Sequence, residues 1–214
     1  MELFLGNLDY ILHIDKYLVV FINDFGVGIY LLLFVVVFSE TGLFMAPFLP
    51  EESLLFVTGT LASKGLIEIW IITVLLMLSN ILGESFNFWI GKRFGPKIFE
   101  SNHSIIFNKK HISKAENFYQ HYGGKTIIIA KFIPIIRTFV PFIAGVAKVK
   151  YSHFICYNII GGVPWVAIFL MGGYFFGTIP IVSDNFTIVI LIIVLISILP
   201  GIVTTLYNRR KKIQ

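Results

Sequence analysis

The residues of this chain that could do chemistry are charges set in apolar surroundings. Residues 131–145 read KFIPIIRTFVPFIAG, with cations at Lys131 and Arg137, prolines at Pro134 and Pro141, and Gly145. A Pro inside a helix removes a hydrogen bond and crowds the preceding turn, so Pro134, Pro141 and Gly145 read as hairpin-breaking positions. A second stretch, residues 41–63, reads TGLFMAPFLPEESLLFVTGTLAS and carries Pro47, Pro50, Glu51 and Glu52 in its middle, with Glu40 just before it. An Arg in hydrocarbon costs about 2.5–3.5 kcal/mol on insertion scales, so it faces a pathway or a partner. Its planar fork suits a phosphate headgroup, and broken helices offer free N–H groups at their N-termini. Desolvation favours the protonated form of a carboxyl, so a buried Glu can carry a proton. The chemistry that follows is movement of an anion, with Arg137 and Lys131 holding the headgroup and Glu40 and Glu52 coupling it to protons. The plainer reading of Glu40 and Arg137 is a structural ion pair, and Glu51 is expected in a solvated turn.

These residues need elements to position them, and the composition says which kind. Of 214 residues 57% are hydrophobic, 16% aromatic and only 14% charged, above the roughly 45–50% apolar content of soluble domains. The expected fold class is an all-α polytopic integral membrane protein. The net charge of +5 is unevenly placed: seven cations lie between Lys92 and Lys125, and Arg209, Arg210, Lys211 and Lys212 form a basic tail. That pattern speaks of topology rather than nucleic-acid binding, for which no motif is present. The single Cys156 excludes a disulfide framework, and the five His lack ligand-like spacing, so neither a metal nor another cofactor is expected. Ser53 has no His partner and no nucleophile-elbow glycines, which argues against an enzyme.

In chain order, residues 1–24 suit an N-terminal interfacial amphipathic segment, and their acidic start does not resemble a secretory signal. Apolar spans are expected at Gly26–Phe38, Leu66–Ile90, His153–Gly177 and Phe186–Tyr207. Trp70 and Trp89 sit as interfacial anchors near the two ends of the second. Residues 91–125 form the one sizeable polar loop, cytoplasmic by its cations, and residues 181–214 hold the last span and a cytoplasmic basic tail. Two spans already separate loop from tail, so residues 126–149 must enter and leave on one side. By the same parity residues 41–63 dip from the other side. Two opposed re-entrant hairpins then make an inverted repeat meeting near the midplane.

Four stretches, ETGLFMAPFLPEESLLF, LGESFNFWIGKRFG, KFIPIIRTFVPFIAGVAKVKYSHF and GGVPWV, occur in that order. Together they resemble the DedA family of membrane proteins, also described as the SNARE-associated or VTT domain, over roughly residues 25–180. The resemblance implies two re-entrant hairpins and lipid translocation, with bacterial members implicated in returning undecaprenyl phosphate across the cytoplasmic membrane. The family's functional acidic and basic positions match Glu40, Glu52 and Arg137, with Lys131 at a position that is often Arg. Members commonly have Pro-Gly-Asp-Ser where this chain has Pro50-Glu51-Glu52-Ser53, and Gly-Asp where it has Gly83-Glu84. Glu51 and Glu84 therefore join the candidate site as additional residues. The expected function is a flippase for undecaprenyl phosphate or a related anionic lipid, coupled to the proton gradient, in the bacterial cytoplasmic membrane. Its partners are membrane lipid and protons, with a homo-oligomer left open. A proton- or cation-coupled small-solute transporter, a phospholipid scramblase and a non-transporting membrane-homeostasis factor are the alternatives.

Overall fold

A computed structural model describes residues 26–43, 51–100, 124, 127–128, 131, 134–185 and 188–193, without the side chains of 96–100, 134–136 and 184. The expected segment 1–24, Pro47 and Pro50, residues 101–123 of the polar loop and the basic tail lie outside the described residues. So does most of the last span. Among the described residues the regular structure is entirely helical: α1 Gly28–Gly42, α2 Glu51–Ser63, α3 Ile69–Glu100, α4 Pro134–Val146, α5 Tyr151–Phe176 and the short α6 Pro180–Asp184. Two stretches are long and apolar enough to cross a membrane, Ile69–Gly95 and Tyr151–Phe176.

Their burial pattern explains why they form. On α3 the buried positions Ile72, Leu76, Asn80, Glu84, Phe88, Gly91 and Gly95 recur every three or four residues, a single helical stripe. The opposite face exposes Ile71, Val74, Leu78, Leu82, Phe86 and Trp89. A helix whose outer face is this apolar while its inner face carries Asn and Glu is suited to hydrocarbon, not to water. Trp70 and Trp89 both point outward, about 30 Å apart along the helix, close to the thickness of a bilayer core.

Three of the expected boundaries shift. α1 runs on to Gly42, which puts Glu40 and Thr41 in its last turn instead of in a connection. α3 continues through residues 91–100, into the stretch assigned to the polar loop. Pro134 opens α4, as a helix-starting Pro can, but Pro141 and Gly145 lie inside that helix and do not break it. Pro141 withholds its own N–H and crowds the preceding turn, and tertiary contacts hold the helix on either side of it.

Packing is reciprocal. The most extensive contacts are α2 against α5, α4 against α3, and α1 against α3. Each short helix thus lies on the long helix of the other half of the chain. Glycines make both crossings. A Cβ on Gly59 would overlap the carbonyl oxygen of Leu170, and one on Gly173 that of Phe56. At the second crossing a Cβ on Gly145 would overlap the carbonyl of Phe88, and one on Gly91 that of Phe142. In lipid, helices gain little from the hydrophobic effect and associate through such close backbone approach and through polar contacts.

α2 is buried on all sides from Glu51 to Ala62. It lies in an apolar cluster with Ile29, Leu33 and Val37 of α1, Ile72 and Leu76 of α3, and Val166 and Leu170 of α5. A second cluster joins Phe88, Ile127, Val140, Ala144 and Phe154. On α3 the turns between Leu76 and Phe88, and on α5 those between Phe154 and Val166, run from one cluster to the other. Those turns carry the polar residues Asn80, Glu84, Asn87 and Asn158, so the polar centre lies between the two apolar clusters.

Candidate functional site

The first turn of α2 brings Glu51 and Glu52 into that centre, each only 1% exposed. Arg137, in the first turn of α4, reaches both: Nη1 lies 2.6 Å from Glu52 Oε1 and Nη2 lies 3.1 Å from Glu51 Oε2. The two short helices therefore meet through their N-terminal turns, one acidic and one basic. The Arg137 guanidinium also lies 5.7 Å from the Trp165 ring centre, within cation–π range. The expectation that Glu51 occupies a solvated turn is corrected, because α2 starts inside the protein and its first turn is covered.

Lys131 has a different partner. Its Nζ donates to Glu84 Oε1 at 2.6 Å and to Asn158 Oδ1 at 3.3 Å. Glu84 is thus the counter-charge of one of the two predicted cations. Asn80 Nδ2 donates to Glu51 Oε1 at 3.0 Å, linking the two ion-pair groups through α3. Glu40 and Thr41 from α1, with Thr138 from α4, line the same small cavity as Glu51, Glu84, Lys131 and Arg137. The cavity offers about 10 Å³ to the centre of a water-sized sphere, room for about one water. Glu40, Glu51, Glu52, Glu84, Lys131 and Arg137 are accordingly all brought to one place.

Four residues here were not singled out from the sequence: Asn80, Asn87, Asn158 and Trp165. The signal was present, since carboxamides inside long apolar runs are expensive unless they meet partners. Asn87 uses both N–H groups, donating to Thr41 O at 3.1 Å and to Thr138 O at 2.9 Å. It ties the last turn of α1 to the part of α4 that Pro141 weakens. Asn87→Asp, which removes both donors and adds a buried charge, is expected to lower the thermal unfolding midpoint in detergent more than Asn87→Ala. The alanine variant itself loses about 1–3 kcal/mol through the two lost hydrogen bonds.

Apolar outer faces, two helices of membrane-crossing length and a buried centre of paired charges define an all-helical membrane protein organised around a charged core. The VTT domain profile matches residues 49–175. The chain is 45% identical over 212 residues to Protein DedA of Escherichia coli K12, across 98% of this chain and 97% of that one. An uncharacterized membrane protein of Mycobacterium tuberculosis is 40% identical over 191 residues, 87% of this chain and 84% of the other. Inner membrane protein YqjA of Escherichia coli K12 is 31% identical over 153 residues, 72% of this chain and 70% of its own. No solved structure matches the chain. The protein belongs to the DedA family of VTT-domain membrane proteins.

Proposed function

We propose that this protein is a transporter, not an enzyme, and that it carries an anionic lipid, undecaprenyl phosphate or a close relative, across the bacterial cytoplasmic membrane. The observation that carries the reading is Arg137, its side chain only 13% exposed between two apolar clusters and held by the buried Glu51 and Glu52 from another short helix. Arg offers a phosphate two parallel N–H bonds, and Lys131 adds a second positive point nearby. In the paired arrangement these cations are occupied by carboxylates, and the cavity has room for only about one water. A headgroup enters only when the short helices part and the carboxylates give up the cations. Proton uptake by Glu40 and Glu52 would make that exchange responsive to the proton gradient.

The topology belongs to the same proposal. The chain is multi-pass, residues 41–63 and 126–149 are re-entrant from opposite sides, and residues 91–125 and the C-terminus are cytoplasmic. The reciprocal crossings of α2 on α5 and of α4 on α3 support an inverted repeat, because matching glycine and backbone positions recur in both.

The test is flipping of a labelled polyprenyl phosphate by purified protein in liposomes, beside an ordinary phospholipid, with and without a proton gradient. Selective, gradient-dependent flipping is expected. Equal flipping of both lipids without regard to the gradient would make the protein a scramblase, and absence of flipping by folded protein would reject lipid transport. A second reading is favoured by one observation, that both cations already have close carboxylate partners. In that reading the charges only lock helices together, and the protein serves membrane homeostasis without transport.

A further inference from the structure

Asn80 and Glu84 lie one helical turn apart on the same face of α3 and are 2% and 5% exposed. Asn80 Nδ2 is spent on Glu51, and Glu84 Oε1 accepts from Lys131. Their remaining oxygens, Asn80 Oδ1 and Glu84 Oε2, have no hydrogen-bond partner among the described residues, although both residues line the water-sized cavity. A Cβ placed on Gly162 would lie 2.7 Å from Asn80 Oδ1 and 3.2 Å from Lys131 Nζ, so the Asn80 oxygen is turned toward the Lys131–Glu84 pair. Two buried acceptors therefore share one small space.

Reversing the Asn80 amide does not repair this. Its oxygen would then face the Glu51 carboxylate, which is also an acceptor. In either orientation one oxygen of Asn80 or Glu51 and one of Glu84 are left for a water or a proton to meet. One water, for which there is room, donates to both open oxygens while Lys131 is paired, and a proton on Glu84 replaces the donor that Glu84 loses when Lys131 leaves.

The surrounding charges decide when that proton arrives. The groups facing the cavity and its rim are Glu40 from α1, Glu51 and Glu52 from α2, Glu84 from α3, and the cations Lys131 and Arg137, with only neutral Asn158 and Trp165 from α5. Among the described residues four carboxylates thus meet two cations before any anion enters. Glu51 keeps a hydrogen bond from Asn80 if Arg137 turns to a ligand, and Arg137 has further N–H groups to share. Glu84 has no such reserve, because its hydrogen-bond donor among the described residues is Lys131.

We propose that Glu84 is a proton-binding site: it takes a proton from the aqueous phase when an anionic headgroup draws Lys131 away, and releases it when Lys131 returns. The linkage rests on the headgroup role given above to Lys131. It makes anion binding and proton binding one event, and it adds Glu84 to the proton-coupling residues.

The experiment is calorimetric titration of farnesyl phosphate, a short polyprenyl phosphate, into the full chain in nanodiscs. Two buffers of different ionisation heat count the protons, at a pH well above the ligand's second pKa of about 6. Wild type is expected to take up about one proton per ligand through Glu84, with Kd rising about tenfold per pH unit. Glu84→Gln, a neutral isostere of the protonated state, is expected to bind at least as tightly, to take up about one proton fewer, and to lose that pH dependence. In parallel, the wild-type infrared difference spectrum gains a protonated-carboxyl band on binding. Absence of binding by wild type would overturn the anion reading and the linkage together. Binding without proton uptake, without the infrared band, or with uptake unchanged in Glu84→Gln would overturn the proton site alone. If Glu84→Gln does not fold, the two wild-type readouts still decide.

Discussion

Arg137→Ala is expected to abolish polyprenyl-phosphate flipping, by at least on the order of 100-fold, and to destabilise the protein at the same time. Both effects follow from one geometry. Glu51 and Glu52 are each 1% exposed and face the same guanidinium, so its removal leaves two buried carboxylates without their cation. Breaking a buried pair in this way costs about 3–5 kcal/mol. Loss of transport alone would then be ambiguous, and a compensated variant separates the causes. Arg137→Gln combined with Glu51→Gln and Glu52→Gln removes the charges together and is expected to recover most of the unfolding midpoint. If flipping recovers as well, the charges are a structural lock and the headgroup role fails. If stability returns and flipping does not, Arg137 acts on the lipid. Arg137→Lys keeps the charge but not the planar fork, and intermediate transport is expected from it.

The second large effect separates two adjacent glycines on α5. Gly173→Ala is expected to destabilise by about 1–3 kcal/mol, the usual range for overpacking, because its Cβ would overlap the backbone carbonyl of Phe56 in α2. Backbone cannot step aside as a flexible side chain can, so α2 and α5 must separate. Gly172→Ala meets only Phe56 Cδ2 at 4.0 Å and is expected to be neutral or to gain up to about 0.5–1 kcal/mol from reduced backbone entropy. The measurement is the thermal unfolding midpoint of both variants in one detergent. Equal midpoints would mean that α2 does not cross α5 where it is placed. The same contrast is expected at the other crossing, where Gly91→Ala meets the backbone of Phe142. If transport requires the short helices to part, Gly173→Ala also shifts the balance away from the paired arrangement, and its flipping rate need not follow its stability.

Much of this protein was legible in its residue order, for a physical reason. Charges and prolines are costly in apolar runs, so their presence at Glu40, Glu51, Glu52, Lys131 and Arg137 marks a shared interior site without any knowledge of the fold. Length and composition likewise define helices long enough to span, since backbone groups in hydrocarbon must satisfy themselves. What residue order states is that a buried charge needs a partner, not which one. Lys131 finds Glu84 across 47 positions, and Arg137 finds Glu52 across 85. Those choices depend on how α2 and α4 cross the long helices, which four glycines permit and no local pattern announces. Pro141 stays helical, and Glu51 is covered, because neighbouring elements supply the contacts that isolated segments would lack. The open oxygens of Asn80 and Glu84 are likewise a property of the assembled centre. Sequence alone determined the membrane class, the helical character and the charged residues; tertiary structure decided the continuity of α4 through Pro141 and the pairings, because only close packing brings distant side chains within hydrogen-bonding reach.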